Sequence, residues 1–195
     1  MHLFFLLAML WAAPFWESKT PREWSDEDLV EMFTNSPWAQ VTQFNNSGGI
    51  GIYLATAKPM REAEEEAIRR YTSKQARNQV QDMGARNEYL AYLEENPGKS
   101  IVVAIRDLDP KALASGEETR RMEEESRLKA GGKKYKVTGY FPPAGADPVL
   151  RLVFPRPNGV VKDLDFELYV PGASAPYRQA NFRVKDLQYR GQLEY

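Results

Sequence analysis

The stretch SIVVAI, at residues 100–105, is almost continuously apolar and rich in β-branched side chains. It follows the turn residues Asn96-Pro97-Gly98 and predicts a central strand, because only a strand covered on both faces carries so few polar side chains. The segment LDFELYV, at residues 164–170, alternates between apolar and other residues, which is typical of a strand with one buried face. Together the two patterns place a sheet at the centre of the fold.

Further strand and helix patterns surround these two segments. Capping-box spacing predicts one helix that opens with residues 25–28 and another over residues 115–129; a further helical pattern starts at Pro59, and another follows Gly84. The remaining strand patterns cover residues 41–44, 50–57, 134–140, 149–154, 177–184 and 189–195. We therefore predict an α+β fold, in which two or three helices pack on a largely antiparallel sheet of about six to eight strands.

The N-terminus predicts export. Residues 3–16 carry no charge, and Ala12 and Ala13 are small side chains of the kind found at a signal-peptidase site. The run is shorter than the roughly 20 apolar residues of a membrane-spanning helix. We predict a periplasmic or secreted protein with no stable membrane anchor after signal removal. The chain is predicted to consist of a signal peptide at 1–13, a Trp-bearing segment with a short helix at 14–40 and an α+β domain at 41–195.

The composition excludes several kinds of chemistry. The chain contains no cysteine, and its one histidine, His2, lies in the predicted signal. The mature protein therefore has no Ser–His or Cys–His nucleophile pair, no thiolate and no zinc site built from His or Cys. We predict no cofactor, and the sequence selects no catalytic residue.

The charge balance bears on the partners. Lys and Arg total 26, Asp and Glu total 27, and the formal net charge is −1. Because acids and bases are interspersed along the chain, no basic stripe indicates a nucleic-acid or anionic-membrane partner. We expect a folded protein that does not bind nucleic acid, and its oligomeric state stays open.

Asp163, Asp165 and Glu167 lie on one face of a predicted strand. Several oxygen ligands close together suit Ca²⁺. Same-face residues of a strand are spaced roughly 6–7 Å apart, however, so the three acids do not easily reach one ion. We predict no metal site and keep the three acids as weak binding candidates; the alternative is a solvated face opposite Arg151, Arg178 or Arg183.

Four more residues complete the binding candidates. Asp107 and Asp109 follow the central strand, where carboxylates either form a site or make the turn before Pro110. Trp24 and Trp38 either stack on a sugar or peptide ligand or pack in the core beside a helix end.

Five short patterns occur in order along the chain: WSDED at 24–28, SPWA at 36–39, YLATAKP at 53–59, the strand at 100–105 and FRVKDLQYRGQLEY at 182–195. Because of these five patterns, the chain resembles a family of uncharacterised exported bacterial proteins, typical of Acidobacteria, whose members end in F-x-L-K-D-M-x-Y-x-G-x-L-x-L. Some relatives are labelled GWxTD-domain proteins, but EWSD at 23–26 lacks the Gly and Thr of that motif. The resemblance implies export and a single domain, and it supplies no catalytic residues.

We expect a non-catalytic binding or interaction domain of the bacterial envelope or secretome, with an envelope or extracellular protein as its partner. One alternative is a carboxylate-based hydrolase that acts on glycans, so enzymatic activity stays open. A concave pocket that holds two acids together with an exposed Trp or Tyr would favour this hydrolase. Another alternative is a structural subunit that associates through a sheet edge.

Overall fold

The computed structural model describes residues 13–44, 47–74, 83–106, 108, 110–144 and 147–195. The predicted signal peptide, apart from Ala13, lies outside the described residues, and so do the turn residues Asn45 and Asn46. In the ranges given, no helix combines the length and apolar character needed to span a bilayer.

Five α-helices and twelve β-strands occur within the described residues. The helices are α1 (Phe15–Ser18), α2 (Asp26–Thr34), α3 (Lys58–Lys74), α4 (Gly84–Glu95) and α5 (Gly116–Glu125). The strands are β1 (Asn35–Ser36), β2 (Ala39–Phe44), β3 (Ser47–Leu54), β4 (Ser100–Arg106), β5 (Arg127–Ala130), β6 (Lys133–Lys136), β7 (Gly139–Phe141), β8 (Val149–Pro155), β9 (Asp163–Tyr169), β10 (Tyr177–Arg183), β11 (Gln188–Tyr189) and β12 (Gln192–Leu193). These strands pair antiparallel, which confirms the predicted α+β class, with more strands and helices than expected.

The larger sheet has the strand order β1-β2-β3-β4-β8-β7. β4 pairs with β3 on one side and with β8 on the other. Residues 101–105 are fully buried, so the prediction of a central strand is confirmed. Their burial is a large stabilising contribution, since a fully buried Val or Ile side chain contributes about 1.5–3 kcal/mol.

The smaller sheet has the order β10-β9-β5-β6. In β9, Leu164, Phe166 and Leu168 are buried while Asp165 is exposed, as the alternating pattern predicts. The Phe166 ring packs edge-to-face on Phe154 of β8, with the ring centroids 5.5 Å apart. This contact brings side chains of both sheets into one hydrophobic core.

The segment around α2 packs into the same core. The predicted capping box is confirmed: Ser25 Oγ accepts a hydrogen bond from the Asp28 amide at 3.0 Å, and the Asp28 carboxylate accepts one from the Ser25 amide at 2.8 Å. Trp24 and Trp38, on either side of the helix, are both buried. The residues on both sides of α2 therefore help to form the core.

The helix predicted over residues 115–129 is too long. α5 ends at Glu125, and residues 127–130 form β5, which pairs with β6 and β9. Leu128 and Ala130 are buried while their neighbours are not, so β-sheet pairing prevails over a locally charged, helix-like sequence. The predicted cap is also wrong: the Ser115 side chain makes no capping hydrogen bond. Glu118 instead accepts hydrogen bonds from Tyr169 Oη at 2.8 Å and the Gly172 amide at 3.2 Å.

Two predicted strands are each divided in two. Residues 134–140 contribute to β6 and β7, which belong to different sheets. The C-terminal segment forms the short hairpin β11–β12 instead of one strand. Its turn contains Arg190 and Gly191, with φ of 50° and 75°. Two successive positive φ values reverse the chain within two residues.

Candidate functional site

A cleft of about 340 Å³ lies between α3 and strands β3, β4 and β8. Its position follows from strand register, because Arg106 at the end of β4 pairs with Val149 at the start of β8. Residues of α3 that are three or four positions apart lie on one face of the helix, and this face covers the paired ends of β4 and β8. The lining residues are Phe33, Tyr53, Glu64, Ala67, Ile68, Tyr71, Arg106, Asp147, Pro148 and Val149.

A buried ionic network forms one side of the cleft. The Arg151 side chain of β8 is fully buried in the larger sheet. Its Nη1 donates to Asp147 Oδ2 at 2.6 Å, and its Nη2 donates to Glu64 Oε1 at 3.0 Å. Tyr53 Oη donates a further hydrogen bond to Glu64 Oε1. Three elements, β3, α3 and β8, are therefore joined through the Glu64 carboxylate.

Residues of α4 extend the network. The Tyr89 ring lies 4.7 Å from the Arg151 guanidinium, and Tyr89 Oη donates to the Ala55 carbonyl at 2.8 Å. Arg86 Nη2 lies 3.9 Å from Glu64 Oε2. The two arginines thus neutralise a buried pair of carboxylates, which is the arrangement that buried charges require.

Burial and charge shift the pKa values in this network. Burial, followed by the Glu64 charge, raises the pKa of Tyr53 well above its usual range. The pKa of Tyr89 is raised by the same two causes in the same order. For Arg151, burial alone would lower the pKa, but Glu64 and Asp147 raise it above its ordinary value. At neutral pH both tyrosines are therefore neutral and Arg151 is charged.

Arg106 is the cation of the cleft that lacks an ion pair. Its guanidinium stacks on the Phe33 ring at 4.2 Å, a cation–π contact that holds it in place. No carboxylate in the described part of the chain lies within ion-pair distance of it. Tyr71 of α3 lines the same cleft and is 46 % exposed. The cleft thus combines apolar walls, an oriented guanidinium and an accessible tyrosine.

The three acids of β9 lie away from this cleft. Glu167 Oε1 is 2.5 Å from Lys129 Nζ, Asp165 accepts a hydrogen bond from Asn181, and Asp163 pairs in register with Arg183. Within the described ranges, no group of three His, Cys, Asp or Glu side chains could hold a metal ion.

Two of the basic residues expected opposite these acids are elsewhere. Arg151 belongs to the larger sheet, and Arg178 pairs in register with Leu168 on the buried face. The basic residue that lies opposite these acids is Lys129, because β5 is the second strand that pairs with β9.

The two candidate tryptophans are core residues. Trp38 is fully buried, and its Nε1 donates to the Glu194 carbonyl at 2.8 Å. Trp24 is 2 % exposed and packs edge-to-face on Phe15. Neither ring offers a free face to a ligand. Asp107 and Asp109 lie outside the described residues.

The residues of the cleft are not among the candidates predicted from the sequence, although the sequence contains two signals of them. Arg151 interrupts the apolar run VLRLVF at 149–154, and Glu64 falls between the apolar positions Ala63 and Ala67 of α3. A charge on a face that the periodicity marks as buried indicates a paired internal ion. Arg106 gives no such signal, since an arginine at a strand end is common.

No family model matches the chain, and no curated protein matches it. A solved structure of a novel protein of unknown function from Burkholderia pseudomallei aligns with a TM-score of 0.42 and 10 % sequence identity. The alignment covers 80 % of this chain and 81 % of that chain.

Proposed function

We propose that this chain is a non-catalytic binding domain, and that its ligand is a small organic anion with an apolar body, held in the cleft beside α3. The observation that carries the proposal is Arg106, a guanidinium fixed in the cleft without a carboxylate partner in the described residues. A planar guanidinium with free donors binds carboxylate, sulfonate or phosphate groups through charge-assisted hydrogen bonds.

The walls support the apolar part of this ligand. Phe33, Ile68 and Val149 line the cleft, and its volume of about 340 Å³ lies in the range of roughly 300–1,000 Å³ that is usual for small-molecule sites. Such sites are mostly apolar and contain a few polar groups that fix the orientation of the ligand.

The charges near the cleft favour an anion. Glu64 and Asp147 carry two negative charges, and Arg151 and Arg86 carry two positive charges within the same network. These four charges balance, so among the described residues Arg106 leaves the cleft with one net positive charge. An anionic group that reaches Arg106 is therefore attracted to the cleft.

The alternative of a carboxylate-based glycan hydrolase has one observation in its favour, because this concave site holds two acids and an exposed tyrosine. Glycosidases need one carboxyl group that delivers a proton and a second that acts as base or nucleophile. Glu64 and Asp147 both accept hydrogen bonds from Arg151 instead. Their positions fit a structural ion network better than an acid–base pair, so binding without catalysis is the stronger proposal.

The binding proposal is tested with 8-anilinonaphthalene-1-sulfonate, which is an apolar anion, and with Nile red, which is apolar and neutral. We expect saturable sulfonate fluorescence in the native protein. Replacing Arg106 by Gln should weaken sulfonate binding by about tenfold or more, since one charge-assisted hydrogen bond contributes about 1.5–3 kcal/mol. The same variant should leave Nile red binding nearly unchanged.

The matched control is Arg120→Gln, which removes an arginine that is 61 % exposed on α5. This variant should bind both dyes like the wild type. Equal sulfonate affinity in Arg106→Gln and in the wild type would show that Arg106 does not hold the anion. Binding of neither dye to the folded protein would remove the cleft as a ligand site.

We also propose that the chain is exported and that its ligand belongs to an envelope or extracellular component. Crosslinking of the tagged full-length protein in cells, with mass spectrometry of its partners and of its own N-terminus, tests both statements. A mature N-terminus beyond Ala12 and a specific envelope partner would support them. An intact Met1 in the cytoplasmic fraction would contradict export.

Association through a sheet edge is the third function considered. β10 is an edge strand of the smaller sheet, and the Gln40 side chain donates to its Asn181 carbonyl at 2.8 Å. This side-chain contact occupies part of the edge and disfavours strand addition there. Sedimentation of the mature protein at high concentration measures the association directly, and a strict monomer would exclude self-assembly.

A further inference from the structure

We infer that a second pocket, which shares no lining residue with the cleft, binds a single oxyanion of phosphate or sulfate size. The pocket has a volume of about 200 Å³ and lies between the start of α3, the end of α4 and the end of β8. It is lined by Thr56, Arg61, Leu93, Asn96, Pro97, Gly98, Ser100 and Arg156. Two arginines and two hydroxyl groups occur in this set, and no carboxylate does.

Arg61 provides a free guanidinium. It lies in the first turn of α3, is exposed, and makes no ion pair or side-chain hydrogen bond with the described residues. No acid lines this pocket. All five N–H donors of Arg61 are therefore available to a ligand.

Arg156 is a second, oriented guanidinium. It stacks on the Tyr195 ring at 4.6 Å, and Nη2 donates to the Tyr195 carbonyl. Its Nε is closed off from solvent and has no hydrogen-bond partner. Stacking fixes the plane of the guanidinium, and its Nη1 makes no hydrogen bond with the described residues, so Arg156 can present an oriented donor to a planar or tetrahedral anion.

The Thr56 hydroxyl also has a donor to offer, and the Ser100 hydroxyl has one when Tyr92 is the donor of their shared hydrogen bond. Thr56 Oγ1 accepts a hydrogen bond from the Val102 amide at 3.3 Å, so its own hydrogen is free to donate. Ser100 Oγ and Tyr92 Oη lie 2.6 Å apart and share one hydrogen bond. One of these two hydroxyls therefore keeps a free hydrogen.

The size of the pocket limits the ligand. A volume of about 200 Å³ lies below the roughly 300–1,000 Å³ of drug-sized sites. Leu93 and Pro97 supply only a small apolar surface beside the arginines. The pocket thus fits inorganic phosphate, sulfate or the phosphate end of a phosphomonoester, and it does not enclose a nucleotide.

Titration calorimetry of the full chain with inorganic phosphate tests the inference. We expect binding with a dissociation constant in the millimolar range or below. Arg61→Gln should weaken it at least about tenfold, because charge-assisted hydrogen bonds are lost. Arg156→Lys keeps the charge but loses the planar fork, and it should weaken phosphate binding by about fivefold or more. Arg22→Gln, which removes an exposed arginine outside the pocket, should bind phosphate like the wild type.

Two further experiments distinguish a free phosphomonoester from a lipid headgroup as the source of the anion. Glycerol 3-phosphate should compete with inorganic phosphate if the site takes free phosphomonoesters. Vesicles of phosphatidic acid, compared with vesicles of phosphatidylcholine, should sediment the wild type but not Arg61→Gln if the site takes a lipid headgroup. Either result supports an oxyanion site. No phosphate binding by the folded wild type, or equal binding by the wild type and Arg61→Gln, would overturn it. Sulfonate binding at Arg106 is unaffected by either outcome.

Discussion

Arg151 Nη2 lies 3.0 Å from Glu64 Oε1, and this buried ion pair joins α3 to the larger sheet. The two side chains are 0 % and 6 % exposed, so water screens their attraction very little. The pair occupies one side of the cleft and fixes the distance between the helix and the sheet. The cleft beside Arg106 therefore depends on an internal charge network for its shape.

Removal of Arg151 should strongly destabilise the protein. In Arg151→Met the buried carboxylates of Glu64 and Asp147 lose their shared partner, and breaking a buried ion pair from one side costs about 3–5 kcal/mol. Urea denaturation measures the free energy of unfolding. Arg120→Met removes an exposed ion pair on α5 and should change this free energy by about 0.5 kcal/mol or less. A loss below about 1 kcal/mol in Arg151→Met would show that the network does not hold α3 in place.

Glu66 should make the stability depend on acid pH. Hydrogen bonds from Arg69, followed by those from Arg70, lower the pKa of Glu66 from 4.5 to about 2. Because its folded pKa is lower than its unfolded pKa, the stabilisation is present above about pH 4.5 and is lost as the pH falls towards about 2. Arg69 is 52 % exposed, so screening limits the effect to about 1–2 kcal/mol.

Urea unfolding of the wild type and of Glu66→Gln across this pH range tests the dependence. The two free energies of unfolding should differ at neutral pH and converge in acid. Glu65→Gln, at the adjacent and exposed position, is the matched control and should follow the wild type. A difference between Glu66→Gln and the wild type that does not change with pH would contradict the assignment.

The contribution of the α2 capping box to the free energy of unfolding can be measured by comparing Ser25 with a serine that does not cap a helix. Ser25→Ala removes the acceptor of the Asp28 amide, and we expect a loss of about 1 kcal/mol in the free energy of unfolding. Ser115→Ala, before α5, should change it by a few tenths of a kcal/mol at most, since Ser115 makes no capping hydrogen bond. Equal losses in the two variants would mean that the Ser25 hydrogen bond contributes nothing.

Alanine substitutions at Gly172 and Gly159 should distinguish the cost of backbone strain from the cost of a steric conflict. Both have positive φ, of 72° and 79°, so alanine at either position should cost about 1 kcal/mol. A Cβ at Gly172 would lie 3.0 Å from Ala112 Cβ, whereas nothing lies within 4 Å at Gly159. Thermal unfolding should therefore show an additional loss of about 1–3 kcal/mol in Gly172→Ala, from overpacking. Equal melting temperatures would indicate that the segment around Ala112 moves aside without cost.

Local patterns were sufficient for the elements in which side-chain period and burial agree. β4 and β9 were predicted correctly because their apolar residues recur as a buried strand requires, and α2 because its caps lie within its own sequence. β5 was not predicted because its charged sequence does not resemble a strand, and it is stabilised by hydrogen bonds with β9, which is distant in the sequence. Trp38 was a ligand candidate in the sequence, but its burial follows from contacts with Trp16 and Tyr189, far apart along the chain.

Composition and periods of a few residues were enough to predict the α+β class, the central strand and the absence of Cys and His chemistry after the predicted signal. The remaining features depend on how distant segments of the chain pack together. Arg106, Glu64 and Arg151 come from three different elements, and Arg61 and Arg156 are separated by about half of the chain. Which charges are paired and which are left free for a ligand depends on strand register and helix packing, and no local pattern encodes either of these.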